Sequence, residues 1–322
     1  MTNNPKILIT GIAGSGASYL AEYLVSKGLE VEGIQRWHSS NGSGKSNIDS
    51  LKGKVKLYDC DLNDLGSTIR TLDQSNPHYI FHLAAHANVR SCFDNPIAVI
   101  QNNVNSTLNL FEAARITGTR AIIQHCSTSE VYGQVRKEDT PITEQTQLNP
   151  VNPYAVSKLA QEKIAACYNT SFGLPVIITR MFAYICPRRT DLFSSAFAKQ
   201  VIEIERGQRT ELVHGNLDSV RTLIDVRDMA EAYWIASQQC EHGIPYNMGG
   251  DTIMTVGDFL EVLKSRAKCK IVSRIDSSLL RPKDVTMQIP DVSRFAEKTG
   301  FKCKYKFEES IDFLLNHYRN LP

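Results

Sequence analysis

The sequence predicts an α/β protein: a doubly wound parallel sheet with helices on both faces, joined to a smaller mixed α/β lobe. Three observations carry this. Short continuous apolar runs alternate with helix-like stretches through the first half of the 322-residue chain, the pattern of parallel strands buried on both faces. The first run breaks into a glycine-rich turn, "GIAGSGAS", before a helix-like stretch. Beyond about residue 185 the alternation gives way to helices and short strands in mixed order. Parallel crossovers are right-handed, which places a ligand crevice at the carboxyl ends of the strands.

Taken in order, "KILIT" (6–10) is a strand, "SYLAEYLVSKG" (18–28) a helix closed by Gly28, and "EVEGIQR" (30–36) a second strand. "KVKLYDCDL" (54–62) is a third strand, "LGSTIRTLDQS" (65–75) a helix, and "YIFHLAA" (79–85) a fourth strand. A helix over 104–118 ends at Gly118, and "RAIIQHCST" (120–128) is a fifth strand. A helix around 155–170 leads to the apolar strand "PVIITRMF" (175–182). Later, "FAKQVIEIERG" lies in a helix, "TELVHGN" is a strand, and "VRDMAEAYWIASQQ" is a helix. "TVGDFLEVLKSRA" is a helix opened by Thr255, and the tail "FEESIDFLLNHYR" is amphipathic. The smaller lobe is interleaved with the sheet rather than joined through one linker, and there is no internal repeat.

Composition narrows the class. Hydrophobic residues make up 42% and charged residues 22% of the chain, with a formal net charge of +2. These values describe a soluble globular protein without a nucleic-acid groove. "KCKYK" (302–306), the densest basic stretch, reads as a solvated strand face. Eight cysteines are scattered without Cys-x-x-Cys pairs, which argues for reduced thiols in a cytoplasm and against a metal site. No stretch has the length and apolarity of a membrane span or a signal peptide.

The strand–turn–helix context gives the glycines meaning. Gly11 allows the tight turn, Gly14 lets backbone approach a pyrophosphate, and Ser15 and Gly16 lead into a helix whose N–H groups face the phosphates. Ala17 stands at the third glycine position, where Ala is an accepted alternative. The second strand ends in "GIQRWHSS", with Arg36 and no acidic residue. An acid there would bind the ribose hydroxyls of NAD, whereas Arg suits the 2′-phosphate of NADP. NADP is therefore expected, with NAD as the alternative.

"NPYAVSKLAQEK" holds Tyr154 and Lys158 four residues apart, on one helix face. An ammonium beside a phenol stabilises the phenolate and makes Tyr an acid/base near neutral pH. "HCSTSEVYG" places Thr128, Ser129 and Glu130 just past a core strand, at the ligand end of the sheet. Each stretch alone fits a bland turn or an amphipathic helix; the combination does not.

These motifs, with "DCDLND", "HLAAHANV", "NNVNST", "RMFAYICPRR", "GNLDSVRTLIDVRD" and "LRPKDV", resemble the extended short-chain dehydrogenase/reductase family over nearly the whole chain. The likeness is to its GDP-sugar branch of 4,6-dehydratases and 4-keto-6-deoxymannose reductases. The resemblance implies a Rossmann domain over 1–178 plus about 222–248, and a nucleotide-sugar lobe over 179–221 and 249–322. It implies that Asp61 and Leu62 meet adenine, that Leu83, Ala84 and Ala85 line the cofactor path, and that Asn103 orders the site. Thr128 would bond the sugar 4-OH beside Tyr154, with Ser129 at the sugar, and Asn216, Arg221 and Arg281 would grip a nucleotide diphosphate.

In a dehydratase, the resemblance implies, Tyr154 takes the 4-OH proton as C4 is oxidised, Glu130 removes the C5 proton as water leaves C6, and hydride returns to C6. A 4-reductase uses Tyr154 and Lys158 and leaves Glu130 without a task; a nucleotide-sugar epimerase and an inactive cofactor-binding regulator are further alternatives. The family usually carries Asn where this chain has Ala183, and dehydratases tend to carry a basic residue where it has Val220. A changed sugar pocket follows, with GDP-N-acetylglucosamine or a GDP-heptose as rivals to GDP-mannose. The resemblance also implies a homodimer or homotetramer.

Overall fold

Strands β1 (Lys6–Thr10), β2 (Glu30–Gln35), β3 (Lys56–Asp59), β4 (Tyr79–His82), β5 (Ile122–Thr128) and β6 (Val176–Met181) build the first half of the computed structural model, which describes residues 4–36, 46–280 and 284–321. Helices α1 (Ser15–Ser26), α2 (Leu65–Ser75), α3 (Ser91–Asp94), α4 (Pro96–Thr117) and α5 (Pro153–Phe172) alternate with them. The second half runs β7 (Tyr184–Ile185), α6 (Phe193–Glu205), β8 (Leu212–His214), β9 (Val220–Asp225), α7 (Val226–Gln239) and β10 (Pro245–Met248). It closes with β11 (Thr252–Thr255), α8 (Val256–Ser265), β12 (Ser273–Ile275), β13 (Met287–Gln288), α9 (Ser293–Thr299) and α10 (Phe307–Arg319). Among the described residues no helix is long and apolar enough to cross a membrane.

Seven strands form one sheet in the order β10-β6-β5-β4-β1-β2-β3, and every neighbouring pair is parallel. Side chains alternate between its faces, as the period of two requires. Ile7 and Ile9 enter a core with α1 and α7, whereas Leu8 enters the opposite core with α2, α4 and α5. After leaving β6 the chain builds β7, α6, β8 and β9, then returns through α7 and β10 to the sheet edge beside β6. A third core packs Phe197 and Val201 of α6 against Phe259 and Leu263 of α8 and Ile311 and Leu314 of α10.

Three local readings change. The helix read over 104–118 begins at Pro96, whose missing N–H and fixed φ suit a first turn. The first helix starts at Ser15 rather than at 18, directly on the glycine loop. "KCKYK" is not a strand. The Lys304 N–H donates to Asp228 Oδ1 at 3.1 Å and the Tyr305 N–H to Asp228 Oδ2 at 3.1 Å, so a carboxylate takes the donors a ladder would need.

One buried ion pair joins the ligand-side elements. Arg180 of β6 and Glu162 of α5 meet at 2.7 Å with side chains 5% and 4% exposed. Ser127 of β5 donates to the same carboxylate, and Arg180 Nη1 donates to the Tyr132 hydroxyl at 2.9 Å. That hydroxyl donates onward to Asn247 Oδ1 of β10 at 2.6 Å. Breaking such a pair strands a charge at a cost of about 3 to 5 kcal/mol. Glu162→Gln is expected to lower stability by about that amount in denaturant titration. Glu241→Gln, at an ion pair 39% and 57% exposed, is expected to change it by less than about 1 kcal/mol; equal losses would contradict the assignment.

Candidate active site

The carboxyl ends of β1, β4, β5 and β6 open onto two adjoining cavities, and a third lies against the lobe. The first, about 220 Å³, is lined by Gly11, Gly14, Arg36, Asp61, Leu62, Leu83, Ala84 and Ala85, with Asn63, His86, Asn102 and Ser106. Gly11 has φ +66°, and a Cβ there would lie 3.0 Å from the Ala84 Cα, so its bare backbone is a requirement of the turn. Gly14 is the N-cap of α1 without a side-chain cap bond, and the first turn holds no acid. The N-terminal N–H groups of α1 therefore remain available for an anion. Gly16 turns the other way, and a Cβ on it would come 3.3 Å from the Tyr184 hydroxyl. Ala17 packs in the core at 2% exposure.

Arg36 is exposed at the mouth of this cavity, its Nη2 3.4 Å from His86 Nε2. Burial and the Arg36 charge lower the His86 pKa, so the ring stays neutral beside the guanidinium. Asn103 lies behind the wall, fully buried. It accepts the His86 N–H at 2.7 Å and donates to Ser157 Oγ at 2.9 Å, which ties the loop after β4 to α5.

The second cavity, about 210 Å³, gathers Thr128, Ser129, Glu130, Tyr154 and Lys158 with Ala183, Tyr184, Arg189, Arg221, Tyr233 and Gln288. The chain turns at the end of β5 because the Glu130 N–H donates to the Thr128 hydroxyl at 3.3 Å, an ST-type turn. Asn152 then caps α5, accepting the Ala155 N–H at 2.8 Å, while its Nδ2 donates to Glu130 Oε2 at 3.0 Å. Gln288 Nε2 donates to Glu130 Oε1 at 3.2 Å.

Tyr154, Lys158 and Glu162 recur every four residues along the buried face of α5. Lys158 Nζ donates to the Cys126 carbonyl at 2.7 Å. Burial lowers its pKa to about 8, against the pull of Cys126 and Glu162. Burial also raises the Tyr154 phenol, and the strongest opposing influence is the charge of Arg189, followed among the lowering ones by a Thr128 hydrogen bond. The sequence assigned that counterion role to Lys158 alone. Arg189 is fixed by the Ala87 carbonyl at 2.7 Å and by Asp191 at 3.1 Å.

A third cavity, about 500 Å³, is lined by Arg90, Lys199, Arg209 and Arg221 together with Asn216, Ser219 and Asp284. Asn216 Nδ2 and Ser219 Oγ both donate to Asp284 Oδ2, at 3.2 and 3.0 Å. Arg221 borders this cavity and the second one. Arg281 lies outside the described residues. Arg189, Tyr184 and Gln288 carried no role in the sequence reading. Arg189 sits in the "RMFAYICPRR" run and could have been noted as a cation after a core strand, whereas Gln288 gave no signal.

A glycine loop, a Thr-Ser-Glu turn and a Tyr-x-x-x-Lys helix on a seven-stranded parallel sheet define an extended short-chain dehydrogenase/reductase. The chain belongs to the GDP-mannose 4,6 dehydratase family, whose model matches residues 8–313. It is 31% identical over 340 residues to the GDP-mannose 4,6-dehydratase of Yersinia enterocolitica, covering 94% of this chain and 91% of that one. Its fold matches RMD of Pseudomonas aeruginosa in complex with NADPH, at TM-score 0.83 and 25% identity over 98% and 99% of the two chains. It likewise matches the Thermus thermophilus UDP-glucose 4-epimerase in complex with NAD, at TM-score 0.84 and 27% identity over 98% and 99%.

The Lys158 shift sets a pH dependence of stability. The folded protein holds this proton less tightly than the unfolded chain, where Lys titrates near 10.5. Below about pH 8 the charged ammonium is a burden to the fold, and the burden is relieved as pH rises from about 8 to 10.5. Relative to Lys158→Met, the cofactor-free wild type is expected to gain about 3 kcal/mol across that window in denaturant titrations. A pH-independent difference would contradict it.

Proposed function

We propose that the protein is a GDP-hexose 4,6-dehydratase with a recycled nicotinamide cofactor. The observation that carries this is Glu130: a carboxylate beside Thr128 and Tyr154, on the cavity wall, with both oxygens held by neutral amide donors. A dehydratase needs a base at C5, and a 4-reductase or a 4-epimerase does not. Family membership and the 31% identical Yersinia enterocolitica protein support the same reading.

The first cavity fits the cofactor, since the Gly11 cradle would be filled by a Cβ and the N-terminus of α1 lacks a side-chain cap. Gly11, Gly14, Ser15 and Gly16 would hold the pyrophosphate, Asp61 and Leu62 the adenine, and Leu83, Ala84 and Ala85 the path to the nicotinamide. Asn103 acts through the loop after β4. Arg36 favours NADP over NAD because a guanidinium matches the 2′-phosphate; equilibrium titration with each dinucleotide checks the preference. When bound, the cofactor supplies a reversible hydride acceptor.

Tyr154 takes the 4-OH proton with Thr128 bonded to the same oxygen, and the Arg189 and Lys158 cations stabilise the phenolate. The resulting ketone acidifies C5; Glu130 takes that proton and passes it to the C6 hydroxyl, which leaves as water, after which the hydrogen removed from C4 is restored at C6 and C5 is reprotonated from solvent. Asn216, Arg221 and Arg281 hold the nucleotide diphosphate; guanidinium forks suit phosphate oxygens. Residues 179–221 and 249–322 constitute this nucleotide-sugar lobe, and residues 1–178 with about 222–248 the cofactor domain. Ala183 on the cavity wall widens the sugar pocket and admits a larger substituent such as an N-acetyl group. Two copies pair through α4 and α5, on whose outer faces Ile97 is 70% and Val156 43% exposed. The protein is read as cytoplasmic.

The test offers GDP-mannose and GDP-N-acetylglucosamine to the purified protein without reduced cofactor and follows the product by mass. Loss of one water is expected with one of them. Glu130→Gln is expected to abolish this while cofactor binding persists. No 4-keto-6-deoxy product from either sugar, or unchanged turnover by the variant, would overturn the reading.

A further inference from the structure

Glu130 stands between two elements far apart in the chain. One carboxylate oxygen receives Asn152, the cap of α5; the other receives Gln288, 158 residues further on in β13. Gln288 is 4% exposed, and among the described residues its side chain makes this one hydrogen bond. A buried amide carried on a short strand to the rim of a cavity, and aimed at a carboxylate, is poorly explained as packing. An apolar side chain would fill the same space without having to satisfy polar atoms.

The backbone that presents Gln288 is held from both sides. Gln288 lies opposite Arg221 in the β13–β9 pairing, so the two side chains share a face and both reach the second cavity. Two residues earlier, Thr286 is clasped by Gln134: its N–H donates to Gln134 Oε1 at 3.0 Å, and its hydroxyl accepts from Gln134 Nε2 at 2.8 Å. On the other side the Ile142 N–H donates to the Ile289 carbonyl at 2.7 Å, and the Asp291 N–H to the Ile142 carbonyl at 2.8 Å. The same segment carries Asp284, which accepts from Asn216 and Ser219 in the third cavity.

We propose that Gln288 is a positioning residue for the dehydration step: it aims the Glu130 carboxylate at the substrate, and its strand links that aim to the nucleotide-binding cavity. This rests on the reading of Glu130 as the base. A neutral donor suits the task. An amide fixes the direction of the carboxylate without setting a full positive charge against the base. Asn152 alone leaves the carboxylate free to swing about one bond, and the second amide removes that freedom. The amide of Asn152 is itself oriented, because its oxygen is committed to the Ala155 N–H. Two fixed donors, one per oxygen, therefore define the plane of the carboxylate. Misplacement of a reacting group by about 1 Å can cost on the order of 100-fold in rate.

The test compares Gln288→Leu, Gln288→Glu and Glu130→Gln with the wild type, using the better substrate of GDP-mannose and GDP-N-acetylglucosamine. Gln288→Leu keeps the volume and removes the donor. It is expected to lower kcat for dehydration about 10- to 100-fold with KM little changed. Single-turnover oxidation at C4, read as reduced-nicotinamide absorbance, is expected to persist and to decay more slowly. Gln288→Glu keeps the shape but offers an acceptor where the donor stood, and it is expected to lower kcat for dehydration at least as far while C4 oxidation again persists. Wild-type kcat in both variants, alongside an inactive Glu130→Gln, would overturn the positioning role while sparing the base. Parallel loss of C4 oxidation and dehydration would reduce Gln288 to a wall residue and also overturn it. Full activity in Glu130→Gln would remove the base, and the proposal would fall with it.

Discussion

The geometry of the ligand side depends on the buried Arg180–Glu162 pair. Glu162 lies two helical turns beyond Tyr154 and one beyond Lys158 on the same face of α5. Bonding it to β6 through Arg180 and to β5 through Ser127 therefore sets both the rotation and the axial position of that helix. Arg180 also reaches Tyr132, at the end of the turn that carries Glu130, and Tyr132 reaches Asn247 in β10. One charge pair thereby couples α5, the Thr128–Glu130 turn and the last strand of the sheet. Neither charge could be buried alone, and a hydrophobic pair of similar volume would fill the space without dictating register.

Around that anchor the site is electrostatically tense. Burial presses Lys158 down to about 8 and raises the Tyr154 phenol, so desolvation opposes both of the charged forms that proton transfer would use. Arg189, reaching in from the segment after β7, supplies the compensating positive charge. The proposed reaction thus draws on residues from both halves of the chain. The segments before β6 bring Tyr154, Lys158 and Glu130, and those after it bring Arg189, Arg221 and Gln288. The second cavity is therefore complete only when both sets of segments are folded together.

Legibility in the sequence followed the range of the interaction. The parallel sheet could be read because each strand is a local apolar run, and the glycine loop because its strand, turn and helix are contiguous. Tyr154 and Lys158 could be read because helical geometry places residues four apart on one face. Asn216 and Arg221 came only through likeness to a family, since nothing local sets them apart. Gln288 gave no local signal, and Arg189 only that of a cation after a core strand, because each is placed by a contact across 158 residues for Gln288 and 102 for Arg189 with the Ala87 carbonyl. Local rules also misled at "KCKYK", where Asp228 takes the backbone donors, and at α4, whose first two turns precede the apolar stretch used to find it.

In the proposed reaction one site removes hydrogen from C4 of a GDP-hexose, lets Glu130 open the C5–H bond, and restores hydrogen at C6. Substrate deuterated at C4, turned over without added reduced cofactor, tests this directly by mass and NMR of the product. The deuterium is expected at C6 of a 4-keto-6-deoxy sugar, with solvent hydrogen at C5. Deuterium retained at C4, or lost from the sugar altogether, would contradict it.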